Sequence, residues 1–288
     1  MELHYPLREV WPYINWMYFF HAWGFPARFA SIVHLHDCPS CRAQWLASFP
    51  QTERDKAQEA QHLWSDACRW FQDHENHMQA HALVHLFDAN SDADDIVIHL
   101  ADGERRLPML RQQHGEPCLC WADFLPPVGS GLTDTVGLFA TSVDDVASDL
   151  LGQTLADRLA EAAAERMHEV VRKQLWGYAS DEQLSIEEMF QEKYVGRRPA
   201  VGYPSLPDQS INFLIDDIID LSRIGIHLTE SGAMRPHAST SGLLFRHPRA
   251  RHFAIGRIGD DQLSDYARRR GLPLSDVRRF LNRLANEQ

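Results

Sequence analysis

Cys38-Pro-Ser-Cys41, preceded by His34 and His36, has the two-residue gap between thiols that metal ligation uses. Thiolates and imidazoles together suit zinc-like cations. Cys118 and Cys120 could complete four ligands, but a second Cys-x2-Cys pair is missing. The preferred reading is therefore surface-loop or core cysteines with no metal, ahead of a zinc site or an iron–sulfur cluster. His168-Glu169 with Arg172 begins like the HExxH motif of zinc proteases and lacks its second His, which excludes that chemistry. No paired acid and base and no nucleophile motif is present. The remaining candidate is the run Gly196-Arg-Arg-Pro-Ala-Val-Gly-Tyr-Pro-Ser-Leu-Pro207, too rich in Pro and Gly for helix or central strand. An extended loop held between rigid helices is where a ligand site is expected.

The elements that must position this loop are readable from periodicity. Leu155, Leu159, Ala163, Met167, Val170, Val171 and Leu175 share one face of a helix over Leu155–Tyr178 closed by Gly177, with Glu161, Glu165, His168 and Arg172 on another. Ser185-Ile-Glu-Glu188 is a capping box that opens a second helix, expected to run to about Tyr194. Beyond the loop, Asp208 can cap a helix through Ile219 or so, stopped near Gly225, and Ser275 can cap a last one through Leu284. Upstream, Ala60, Leu63, Trp64, Ala67, Cys68 and Phe71 form the apolar stripe of a helix over Ala57–Phe71. His81–Phe87, Asp95–Leu100, Thr135–Ala140, Leu243–Phe245 and His252–Ile258 read as strands, with a turn at Asp102-Gly103.

The totals exclude several classes of function. With 44% hydrophobic and 10% aromatic residues in 288, the chain can build a substantial core, and no repeat or low-complexity linker divides it, so one continuous domain over 1–288 is expected. A formal charge of -12 disfavours nonspecific nucleic-acid binding. Arginines cluster from Arg246 to Arg270 and acids at Asp88–Asp95 and Asp216–Asp220; solvated faces are preferred over a docking patch for a redox partner. No basic stretch precedes an apolar run at the N-terminus and no segment approaches a membrane span. Five cysteines, an odd number, make no disulfide framework, so a reducing, cytoplasmic setting is expected.

Four ordered blocks resemble the activation domain of cobalamin-dependent methionine synthase. They are Leu155-Ala-Asp-Arg-Leu-Ala-Glu-Ala162 with His168-Glu169 and Trp176-Gly177-Tyr178; Arg198-Pro-Ala-Val-Gly-Tyr-Pro204; Leu228-Thr-Glu-Ser231 through Ser241-Gly242; and Phe245 with His247-Pro248. Weaker agreement at Tyr13-Ile-Asn-Trp16, Ala122-Asp-Phe124 and Asp265-Tyr-Ala-Arg-Arg269 extends it over nearly the whole chain. The resemblance implies an α+β fold, a single C-shaped domain around a twisted antiparallel β-sheet flanked by helices, that binds S-adenosylmethionine in a shallow groove. It also implies reductive remethylation of cob(II)alamin, with an electron from flavodoxin or another reductase. Here the corrinoid is expected on a separate corrinoid-binding or methionine synthase protein, served in trans. Methyl transfer from a sulfonium to reduced cobalt needs no general base, so such a protein works mostly by positioning.

By the same resemblance Arg198 would bind the methionine carboxylate through its guanidinium fork. Ala200, Gly202 and Tyr203 would present backbone to the nucleotide, with Gly202 permitting close approach, and Pro199 and Pro204 would stiffen the loop. Glu192 would accept from ribose hydroxyls or orient Arg198, and Glu161 is retained as a weaker candidate. Asn15 stands where the family usually has an Asp for the ligand ammonium, so a charge is lost. His252-Phe253 stands for a Tyr-Tyr pair, keeping the stacking surface without the phenols; a partly exposed His252 is expected to titrate near neutrality. These departures leave a second reading open, a noncatalytic protein that docks a corrinoid partner with a degenerate S-adenosylmethionine groove.

Overall fold

The computed structural model describes residues 1–36, 38–144, 149–282 and 284. The chain opens with β1 (Glu2–Pro6), α1 (Leu7–Val10) and α2 (Trp16–Ala22), then α3 (Pro39–Ala47) and the long α4 (Arg54–His74). Four strands follow, β2 (Gln79–Asp92), β3 (Asp95–Leu100), β4 (Gly103–Pro108) and β5 (Asp134–Val143), before α5 (Leu150–Val170), α6 (Ile186–Phe190) and α7 (Ile211–Ile219). The chain closes with β6 (His227–Leu228), β7 (Met234–Arg235), β8 (Ser239–Leu244), α8 (Asp260–Arg270) and α9 (Leu274–Phe280).

The main sheet is antiparallel and open, in the order β4-β3-β2-β5-β8, with β1 pairing β2 beyond the end of β3. Side chains alternate across it with the period of two that a pleated strand dictates. Ala80, Ala82 and Val84 of β2 and Phe139 of β5 face a core shared with Phe19, Phe20, Leu155, Leu159 and Met167. Leu83, Val136, Leu138 and Ala140 face a second core with Trp121, Ile211, Ile215 and Ile219. A third cluster, Ile258, Leu263, Tyr266, Val277 and Leu281, packs α8 against α9. Both faces of the sheet are covered, and α5 is fixed to it where the Thr141 hydroxyl donates to the Ala160 carbonyl at 2.8 Å.

The predicted strands in β2, β3 and β5 are present, and β2 and β5 run longer than the apolar runs that signalled them. The long helix is capped by Asp149, whose carboxylate accepts from Gly152 N at 2.6 Å. It leaves α-helical geometry at Val171, where a π-helical turn to Leu175 precedes Gly177 at φ 69°. The Ser185 capping box forms, but α6 stops at Phe190. Asp208 does not cap α7, which starts after Ser210; its carboxylate accepts from Ser210 N, the Tyr266 hydroxyl and Arg270 instead. Pro273, not Ser275, precedes α9, which ends at Phe280, while the predicted extension to Leu284 crosses Arg283, outside the described residues. The strand expected at Leu243–Phe245 is the end of β8, and His252–Ile258 is irregular. That segment is pinned by loop contacts rather than a ladder: Ile255 N donates to Pro204 O at 2.9 Å and Gln112 to Ala254 O at 2.8 Å. Among the described residues, no helix is long and apolar enough to cross a membrane.

Candidate functional site

The Pro- and Gly-rich loop turns out to be an added sheet edge. Arg197 N donates to Phe245 O at 2.8 Å, Leu243 N to Pro199 O at 3.0 Å, and Val201 N to Ser241 O at 2.8 Å, so residues 197–201 run antiparallel beside β8. Gly242 makes this approach possible, because a Cβ there would lie 2.1 Å from Pro199 O. Pairing fixes which way the side chains point. Arg198 turns toward α5, where it meets Glu165. The chain then reverses at Gly202, whose φ of 90° suits a residue without Cβ.

Between this edge, α5, the segment after α6, the N-terminal turn and the C-terminal loop lies a cavity of about 650 Å³. Eight of the nine predicted site residues line it: Asn15, Glu161, Glu192, Arg198, Ala200, Tyr203, His252 and Phe253. Gly202 does not line it. Its N–H is used by Leu206 O at 2.8 Å, so the glycine serves the turn rather than close approach of a ligand.

The floor is a charged pair. Arg198 Nη2 donates to Glu165 Oε1 at 2.5 Å and Nη1 lies 4.0 Å from Glu161 Oε2, with the Arg198 side chain 9% exposed. Burial works against the guanidinium charge, but the Glu165 and Glu161 carboxylates outweigh it and raise the Arg198 pKa. Arg198 Nε and Glu165 Oε2 are buried with no protein partner. Tyr203 closes the rim, its hydroxyl donating to Glu161 Oε1 at 2.5 Å; burial, then Glu161, pushes that phenol up.

Glu192 does not orient Arg198. It follows the short α6 in a left-handed conformation, φ 54°, with its carboxylate at Arg197 Nε (3.2 Å) and His252 Nε2 (3.4 Å). His252 stands edge-on to Trp121 at 5.9 Å, and Phe253 packs on the same indole at 5.0 Å. Burial outweighs the attraction of Glu192 and lowers the His252 pKa from its ordinary value, which favours the neutral ring.

Residues not singled out for the site complete the walls: Tyr13, Tyr18, Arg158, Glu165, Met189, Phe190, Tyr194 and Ser205. Arg158, Glu161 and Glu165 recur at three and four residues on α5, a spacing that would have drawn all three to one face. His168 and Arg172 continue that face inward and are fully buried. Arg172 holds Glu182 at 2.6 Å and lies 4.2 Å from the Tyr194 ring centroid, which braces the cavity wall from behind. Burial, followed by Arg172 and Arg198, drives the His168 pKa far down.

Cys118 and Cys120 do not join Cys38 and Cys41. Cys120 is buried and starts the turn at Trp121–Phe124, and the Cys118 thiol donates to Gly115 O at 3.1 Å. What gathers with the first pair is His36.

The open antiparallel sheet, the helix behind it and the acid-and-aromatic cavity at its added edge define an α+β domain with a charged, aromatic-walled cavity of small-molecule size. A crystal structure of the MetH reactivation domain bound to AdoHcy is similar to it, with a TM-score of 0.84 and 32% identity over 100% of this chain and 90% of that one. The family model for the vitamin B12 dependent methionine synthase activation domain matches residues 6–271. The chain belongs to this activation-domain family, as its sequence blocks indicated.

Proposed function

We propose that the cavity binds S-adenosylmethionine and that the chain, acting as one domain, presents its methyl group to cob(II)alamin carried by a separate corrinoid or methionine synthase protein. The observation that carries this reading is the Arg198–Glu165 pair on the cavity floor, a guanidinium and a carboxylate that both line the cavity, with Glu161 4.0 Å from Arg198 Nη1. A guanidinium beside carboxylates matches the two ends of an amino-acid zwitterion, the ligand carboxylate meeting Arg198 and its ammonium meeting the acids. The aromatic walls suit adenine, and aromatic faces attract a sulfonium cation. The volume lies in the range of about 300–1,000 Å³ that takes one such ligand.

In this role Arg198 and Glu165 hold the amino-acid end, and Glu161, Glu192 and Tyr203 meet the nucleoside. The walls keep water from the sulfonium. A cavity of this size has no room for a corrinoid, so the acceptor would be brought to the rim by a partner, whose cobalamin, once reduced by one electron, would supply the nucleophile for the methyl while S-adenosylhomocysteine is left in the cavity. No residue has to move a proton. The electron is proposed to come from flavodoxin or another reductase acting on the partner, in a cytoplasmic setting.

Titration calorimetry with S-adenosylmethionine, beside 5′-methylthioadenosine that lacks the amino-acid end, tests the site. One ligand per chain and markedly weaker binding of the truncated compound are expected. Equal affinities, or no binding, overturn the assignment. Methyl transfer to a cob(II)alamin-loaded partner under reduction then tests the turnover.

A further inference from the structure

We infer that His36, Cys38 and Cys41 form a zinc(II)-binding site, separate from the cavity. Their ligand atoms, one imidazole nitrogen and two sulfurs, all lie within 4.8 Å of one another, and they are the one group of three or more such residues among the described residues. Metal–sulfur and metal–nitrogen bonds of about 2.3 and 2.0–2.1 Å place tetrahedral ligands roughly 3.5–3.8 Å apart. The group therefore has to contract by at most about 1 Å, within the reach of side-chain rotation.

The backbone already favours this arrangement. Cys38 is the N-cap of α3, its sulfur accepting from Cys41 N at 3.1 Å with the Ser40 hydroxyl at 3.2 Å. Cys38 N donates to His36 O at 2.8 Å, so the backbone of the imidazole's residue is tied to that of the first thiol. The two flanks are fixed to each other, because Trp45 of α3 is buried against Phe29 and its indole N–H donates to Ser31 at 3.0 Å. Such a loop loses little entropy on closing around a cation.

Two thiolates balance a divalent charge, and the mixed sulfur and nitrogen set selects a borderline-soft ion over magnesium or calcium. Each thiol loses its proton on binding. Three protein donors leave a fourth position for water or a partner's side chain, the pattern of an open site. The cluster lies at the surface, with His36 exposed, so that position faces solvent.

The reduced, chelator-treated chain is titrated with zinc(II) against a chromogenic competitor and with cobalt(II) for its thiolate charge-transfer band. One equivalent of zinc and a thiolate–cobalt band are expected. Both should vanish in the Cys38→Ser/Cys41→Ser double variant, in which a hydroxyl at the N-cap can still cap α3 and thermal unfolding reports the intact fold. His36→Ala should weaken zinc binding by at least about 10-fold. No uptake by the reduced protein, or uptake unchanged in the double variant, overturns the site.

Discussion

Removing the guanidinium of Arg198 has two separable consequences, and their separation tests the cavity as a ligand site. Arg198 is 9% exposed beside Glu165 at 2.5 Å and Glu161 at 4.0 Å, with those carboxylates 19% and 29% exposed. Arg198→Met leaves two neighbouring, half-buried carboxylates without their cation, while its straight chain keeps packing on Phe139, whose ring lies 5.5 Å from the guanidinium. Breaking a buried pair from one side costs about 3–5 kcal/mol. Glu165 retains some solvent, so the lower end, ~3 kcal/mol, applies, a large fraction of a total near 5–15 kcal/mol. The melting temperature should fall by on the order of 10 °C. Adding Glu165→Gln removes the stranded charge and should recover most of that loss. It should not recover the ligand, because the carboxylate end still lacks its donor and the ammonium end has lost the Glu165 charge; one lost charge-assisted bond of about 1.5–3 kcal/mol alone weakens S-adenosylmethionine by roughly 10- to 100-fold. Thermal unfolding and calorimetry on the wild type, the single and the double variant separate the two effects. If stability and affinity recover together in the double variant, Arg198 is a structural residue and the binding argument fails.

Asn15→Asp restores a charge for the ligand ammonium and should tighten S-adenosylmethionine by about 1 kcal/mol, roughly 5-fold, without changing methylthioadenosine; equal change for both ligands in calorimetry contradicts this role. Gly242→Ala puts a methyl 2.1 Å from Pro199 O, so the added edge must separate from β8. A stability loss of about 1–3 kcal/mol and weakened ligand binding are expected from denaturant unfolding and calorimetry. His168, driven neutral by burial, binds its proton more readily in the unfolded chain. Stability should therefore be full above about pH 6.5 and fall by up to ~1.4 kcal/mol per unit as pH drops below it, a slope that unfolding curves should show reduced in His168→Leu. Asp208→Ala strands Arg270, 4% exposed and 2.8 Å from the lost carboxylate. It should cost about 3–5 kcal/mol in the same assay.

Strand and helix cores were readable because their apolar residues repeat at two or at three and four, and packing enforces those periods. The loop at Arg198 was readable as a loop from its prolines and glycines, but its pairing with β8 was not, since Gly242 marks a close approach only once Pro199 is known to face it. Charge misled most. Arg269 and Arg270 look like a solvated run, yet Arg269 meets Asp95 at 2.6 Å and Arg270 meets Asp208, all four side chains 10% exposed or less. These pairs join α8 to the sheet and to the start of α7 across 174 and 62 residues of sequence, separations no local pattern encodes. His252–Ile258 carries the β-rich composition of a strand, but Trp121 takes the ring contacts of its first two residues and the Pro204 carbonyl takes the Ile255 N–H, so no ladder forms.

The same electrostatics explain how the cavity can tolerate Asn15. A position that loses a carboxylate weakens a cation site only if no other carboxylate is in reach, and here Glu161, Glu165 and Glu192 face two arginines, Arg158 and Arg198. Glu161 is 29% exposed and only 4.0 Å from Arg198, so a carboxylate remains within the cavity without breaking the Glu165 pair that anchors Arg198. Burial lowers the His252 pKa, which weighs against a competing charge there. The proposed ligand carries two positive centres and one negative, and the cavity's excess of acids has the complementary sign. Under the proposed function Asn15 would tune ammonium affinity rather than decide it, so its replacement by Asp is expected to change binding several-fold and the loss of Arg198 far more.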